Sequence, residues 1–170
     1  REAELPVQIS HLKLSGQHNW GRTADILGQL EAARTAGQRV TIDQYPYTAS
    51  STILSTLLPD DLQADGHDSL RARLARPAVR RAVVRSLVER LRRRGLRHFS
   101  YAVVASFPPD TTLQGLSIEQ ANRRLGRPHR ARHEAATILD LVARYNAGMV
   151  FHGMSETDVQ AIMRYPHNMV

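Results

Sequence analysis

Apolar positions change period several times along the 170 residues, and each change marks an element. Val7 and Ile9 alternate with Gln8 and Ser10, the period of two of a short strand. Pro6 opens that run, and His11 and Lys13 close it. Gly16 breaks the chain. Thr23 is placed as an N-cap, and Ile26, Leu27, Leu30 and Ala33 then mark one helix face that stops at Gly37. Arg39 to Asp43 reads as a second strand. Strand, helix, strand with short connections is a βαβ unit, so the two strands are expected to be parallel.

From residue 53 to 135 the rhythm breaks. Leu54, Leu57 and Leu58 predict a short helix before Pro59, and Asp60 to Gly66 a loop. Asp68 is placed as the cap of a helix running to Ala75. Pro77 suits the first turn of a longer helix ending near Gly95. His98 to Ser106 reads as a strand. Ser117 and Gln120 form a capping box for a helix running towards Leu125. Another helix is expected from His133, with Ile138, Leu139, Leu141 and Val142 inside. Regularity then returns: a strand over Gly148–His152, a helix capped by Ser155 with Asp158 three residues on, and a strand entering at Asn168 to Val170. Arg1 to Leu5 reads as the tail of a helix. Both ends look cut, so the chain is expected to be a piece of a longer protein. The stretch from about 48 to 145 is read as an insertion covering a functional rim as a lid.

Composition narrows the chemistry. Cysteine is absent, which excludes disulfides and thiolate metal ligands within the chain and suits a reducing, cytoplasmic compartment. No apolar run is long enough to span a bilayer. The net charge of +7 raises nucleic-acid binding as a possibility, but eleven arginines fall between Arg71 and Arg97. Val79, Val83, Leu87 and Leu91 lie at helical spacing among them. The arginines therefore fill the solvated face of a helix, and no aromatics are interleaved for base stacking. Against 22 arginines stands one lysine, Lys13. It lies two residues after His11, at a strand end where parallel α/β folds place their chemistry. In an extended chain a spacing of two points both side chains to one face. The second strand brings Asp43, Gln44, Tyr45 and Tyr47 to the same rim. His18, His67, His98, His129 and His133 read as surface residues, His152 as a second strand-end candidate, and His167 as lying on the wrong face.

Three stretches together resemble the N-acyl-D-amino-acid deacylases (D-aminoacylases) of the amidohydrolase superfamily: Val7 to Lys13 with Asn19-Trp20-Gly21-Arg22, Asp43-Gln44-Tyr45-Pro46-Tyr47, and Met154 to Val159 with Tyr165-Pro166-His167. The resemblance implies an α/β fold, about the last third of a (β/α)₈ TIM-type barrel with a long, mostly helical insertion. It implies that His11 is a zinc ligand, and that Lys13 and Tyr45 bind substrate. The paired strand-one histidines, the cysteine ligand and the strand-five histidine of the family have no counterpart here. Its acid/base aspartate would lie beyond Val170. The implied reaction is zinc-dependent hydrolysis of N-acyl-D-amino acids by the complete enzyme, with the 170 residues alone inactive. The implied partner is a small molecule, with no nucleic acid and no membrane. Alternatives are another amidohydrolase such as a cyclic-amide hydrolase, or a basic nucleic-acid-binding module.

Overall fold

The computed structural model describes residues 5–169. Of the helical tail expected over Arg1 to Leu5, residues 1–4 lie outside the described residues, as does Val170 of the final strand; Leu5 itself is not helical. The chain divides into two compact units, one made of residues 1–49 and 153–170, the other of Ser50–His152.

The first unit holds strands β1 (Val7–Ile9) and β2 (Val40–Asp43), joined by helix α1 (Thr23–Thr35). Helix α6 (Glu156–Met163) and strand β6 (Asn168–Met169) complete it. The sheet runs in the order β1-β2-β6 with every pair parallel; Val7 faces Val40, Ile9 faces Ile42, and Ile42 faces Asn168. The βαβ reading is therefore correct. Leu30, Val40, Ile42, Ile162 and Tyr165 form the core, with Ile9, Leu12, Leu27 and Ala33 packed on it. Gly37 adopts φ +86°, and Gln38 N–H reaches back to the Ala33 carbonyl at 3.1 Å, so α1 ends in the left-handed turn that glycine takes without steric cost. Thr23 is not the N-cap: Arg22 holds that position and Thr23 is the first helical residue. Its hydroxyl serves a longer-range purpose described below.

The second unit pairs a small sheet with four helices. Strands β3 (Ala49–Ile53), β4 (Ala102–Ser106) and β5 (Gly148–His152) lie in the order β3-β5-β4, with β4 and β5 antiparallel. Helices α2 (Gly66–Leu74), α3 (Pro77–Arg93), α4 (Ile118–Arg124) and α5 (Ala131–Arg144) surround a core that includes Leu74, Leu87, Leu91, Phe99, Val104, Ile138 and Val142. Pro77 opens α3 as expected, and Val83, Leu87 and Leu91 form its buried stripe. Several of its arginines spend their charge internally. Arg80 pairs with Asp140 and Arg93 with Glu89, while Arg90 donates to the Leu57 carbonyl. The Ser117–Gln120 capping box is present in both directions. Three boundaries differ from expectation, the first being α5, which begins at Ala131 and not at His133. Helix α2 begins at Gly66 behind Asp65, not at Asp68. Strand β4 begins at Ala102, because His98 to Tyr101 forms a turn fixed by a buried carboxylate. No helix among the described residues is long and apolar enough to cross a membrane.

Candidate active site

Parallel strands present their C-terminal ends on one side, and in the first unit that side gathers polar groups. Strand β1 ends at Ile9, and the chain then turns through Ser10 and His11. His11 has φ +56°, the left-handed region, which costs a residue with a Cβ about 1–2 kcal/mol. Asp43, at the end of β2, holds the turn. One carboxylate oxygen accepts the His11 backbone N–H at 2.7 Å, the other accepts Gln8 Nε2 at 2.8 Å, and the Asp43 carbonyl accepts Leu12 N–H at 2.9 Å. The His11 amide first, and then the Gln8 side chain, hold the Asp43 carboxyl below its ordinary value. Asp43 is thus a clamp on the histidine's backbone.

The turn alters the relation expected between His11 and Lys13. They do not point to one face by strand alternation, because the extended chain has already ended. Instead Lys13 curls back and donates from Nζ to the His11 carbonyl at 2.6 Å. Its ammonium also sits 5.3 Å from the Tyr45 ring centroid, within cation–π range. The His11 ring lies 5.3 Å from the Tyr45 ring, tilted by 59°, and Tyr47 stacks beyond at 6.4 Å. Three sequence-predicted residues, His11, Lys13 and Tyr45, therefore converge on one aromatic surface.

The hydroxyl of Tyr45 is buried and has no hydrogen-bond partner among the described residues, and the same is true of Gln44 Oε1. Unmade bonds on buried polar atoms are costly, so they mark where a ligand or a further polar group would be stabilising. The His11 imidazole is exposed, and among the described residues neither ring nitrogen is hydrogen-bonded. As a donor set the rim offers one imidazole, one ammonium and one phenol. A zinc site takes three or four ligands, so His11 supplies one and does not hold an ion alone.

The loop between β1 and α1 is anchored by residues distant in sequence. Trp20 Nε1 donates to the Gly153 carbonyl at 2.9 Å, and Gly16 N–H reaches the same carbonyl at 2.7 Å. Asp158, 3% exposed, accepts the Gly21 N–H at 3.0 Å and the Thr23 hydroxyl. Ser155 caps α6 through the Asp158 backbone N–H, but the Asp158 carboxylate leaves its own helix to tie down this loop. Sequence reasoning placed Asp158 as a local capping residue and missed this role; no local pattern marks a contact made across so much chain.

His152 ends β5 and is exposed, and His167 precedes β6 with its carbonyl on Ile42 N–H. Neither belongs to the His11 cluster described above. His98 is not a free surface residue: it is half-buried and bonded to Glu134. His67 is exposed as expected, with its ring bonded to the Val142 carbonyl.

No protein-family model matches the chain. Over 54 residues it is 52% identical to a D-aminoacylase of Alcaligenes xylosoxydans xylosoxydans, a stretch covering 32% of this chain and 11% of that protein. A solved D-aminoacylase, studied for its binuclear metal centre, matches 99% of this chain and 26% of its own, with a TM-score of 0.61 and 28% identity. An N-acyl-D-glutamate deacylase from Bordetella bronchiseptica, solved with zinc and a phosphonate inhibitor, matches 100% of this chain and 26% of its own at a TM-score of 0.63; at 22% identity it speaks for the fold alone. The chain thus resembles the D-aminoacylases in sequence and in its mixed α/β fold, and spans about a quarter of the length of these solved relatives.

Proposed function

We propose that this chain is part of a metal-dependent amidohydrolase that cleaves the amide bond of N-acyl-D-amino acids, releasing a carboxylate and a D-amino acid. The observation that carries the reading is the rim cluster. His11 is held in a left-handed turn by Asp43, with Lys13 and Tyr45 against it and the Tyr45 hydroxyl unpartnered. In this reading the parallel sheet β1-β2-β6 is a slice of a (β/α)₈ barrel, and Ser50–His152 is an insertion acting as a lid over the active-site face. A cytoplasmic location is part of the same proposal.

Such an enzyme needs zinc, which when bound polarises the amide carbonyl and lowers the pKa of a water molecule to about 7. The residues present fit it to the extent of one ligand: the exposed His11 imidazole has both nitrogens available. The Asp43 clamp fixes where that imidazole is presented. Lys13 Nζ uses one of its three donors on the His11 carbonyl, which leaves two for a substrate carboxylate. The Tyr45 hydroxyl, buried here, turns out to the rim to donate to the amide oxygen, whose negative charge grows during attack. The remaining metal ligands and the acid/base carboxylate that protonates the leaving amine are assigned to parts of the enzyme beyond these residues.

The deciding experiment replaces His11 by alanine in the complete enzyme. Zinc content and turnover of N-acyl-D-amino acids should both fall sharply. Unchanged metal and unchanged turnover would reject the ligand role, and with it the proposal's main support.

A further inference from the structure

The second unit assembles a different set of ligands. His98, Glu119 and His129 offer ligand atoms that all lie within 4.8 Å of one another, the one such trio among the described residues. They come from three separate segments: the turn ahead of β4, the first turn of α4, and the loop between α4 and α5.

Each is positioned by its own local structure. The capping box at Ser117 fixes the start of α4 and so the place of Glu119. The loop carrying His129 is held by the fully buried Asn122, which donates to the Pro128 carbonyl at 3.0 Å and accepts the Thr137 hydroxyl at 2.9 Å. His98 is fixed most firmly. Its Nδ1 lies 2.6 Å from Oε1 of Glu134, a fully buried carboxylate on α5 whose Oε2 accepts the Phe99 N–H at 2.8 Å. That pairing engages the ring through Nδ1, so Nε2 is the nitrogen open to a ligand. A carboxylate behind the far nitrogen is the usual support of a metal-bound histidine. The rings of His98 and His129 stack with centroids 4.1 Å apart, and His129 Nε2 lies 2.6 Å from Glu119 Oε1.

We propose that His98, His129 and Glu119 form a site for a divalent transition metal of zinc type, separate from the His11 rim, that staples the three segments together. Two neutral imidazoles and one carboxylate, with water in the fourth position, are an ordinary zinc donor set. Ligand atoms around tetrahedral zinc sit about 3.3 Å apart, so on binding His129 Nε2 and Glu119 Oε1 part from 2.6 Å and the His129 ring turns out of its stack on His98. The His129 side chain is 46% exposed and has room to swing, while the Glu134 bond keeps His98 still. To ligate through Nε2, the neutral His129 ring carries its proton on Nδ1, and its hydrogen bond to Glu119 is given up.

The test uses zinc alone with the 170-residue chain. Retained metal is measured after gel filtration, affinity by competition with a chromogenic chelator, and the imidazole nitrogen shifts of His98 and His129 by NMR. Wild type should retain one zinc at this site, with both imidazoles shifted and the melting temperature raised by zinc. His129→Gln and Glu119→Gln should each weaken binding by roughly a hundredfold or more, beyond the 10–100-fold typical of losing a mere supporting group. Their zinc-free melts should match wild type, since both positions are at least partly exposed. His11→Ala should retain the metal, which separates this site from the proposed catalytic one. Zinc held equally by the His129 and Glu119 variants, zinc lost on His11→Ala, or no zinc retained by wild type would each overturn the proposal.

Discussion

Lys13 is the one lysine of the chain, and its ammonium is committed to neighbours in a way that explains why arginine does not replace it. A compact point charge on a flexible stem can turn back on the His11 carbonyl and still lie over the Tyr45 ring; a planar guanidinium would present its donors as a fork. Losing a charge-assisted contact to a substrate carboxylate costs about 1.5–3 kcal/mol, roughly tenfold to a hundredfold in rate. Lys13→Met in the complete enzyme should therefore lower turnover of N-acyl-D-amino acids by about that factor, lower turnover of the matching amides far less, and leave the metal content normal. Equal losses on acids and amides would show that Lys13 does not anchor the carboxylate. Asp43 makes a second prediction at this scale. Its carboxyl is held below 3.8 by the His11 amide and the Gln8 side chain, so the native state releases this proton more readily than the unfolded chain. Its contribution to stability is present above about pH 3.8 and disappears as pH falls through the lower native value. In urea unfolding followed against pH, Asp43→Asn should remove part of the acid dependence below that point. An acid limb identical to wild type would show that the clamp contributes nothing to stability.

Among the elements, the sequence was legible where periodicity and caps agree and opaque where a side chain acts across the chain. The β1-α1-β2 unit could be read because alternation, a helical stripe and Gly37 are all local signals. Pro77, Gly95 and the Ser117 capping box marked their helices for the same reason. The rim cluster of His11, Lys13 and Tyr45 was visible from strand-end position, although the geometry behind it, a left-handed turn in place of continued alternation, was not. Asp158 and Glu134 were out of reach altogether. Each carboxylate is buried on a helix and serves backbone groups of a distant loop, and nothing in the spacing of either says which loop that is. Asp158 shows what such a group contributes. It accepts the Gly21 N–H and the hydroxyl of the buried Thr23, and its removal leaves that hydroxyl unpaired out of reach of water. Asp158→Ala should therefore destabilise the chain by about 2–3 kcal/mol, read as a lower urea midpoint with an unchanged denaturant slope. A loss under about 0.5 kcal/mol, the scale of an ordinary surface substitution, would show that the loop does not depend on it.

At the scale of the whole molecule, the informative detail is where the chain leaves the first unit and returns to it. The Thr48 carbonyl accepts the Gly153 N–H at 3.3 Å and the Met154 N–H at 3.1 Å, so the points of exit and re-entry are hydrogen-bonded neighbours. All of Ser50–His152 folds between them, with a hydrophobic core of its own. Adjacent ends of this kind are what allow a segment to be inserted or removed without disturbing its host. Replacing Ser50–His152 by a short glycine-serine linker in the complete enzyme should therefore preserve the parallel sheet β1-β2-β6 and the metal bound through His11. If the segment is the lid proposed above, the same excision should raise KM for N-acyl-D-amino acids and lower kcat, because a lid excludes water and completes the site around its substrate. Normal metal content with impaired turnover would assign the segment to substrate handling. Full activity after excision would remove the lid from the proposal. Loss of metal and of the cooperative melt together would show that the first unit needs the second in order to fold, against what the closed ends at Thr48 and Gly153 indicate.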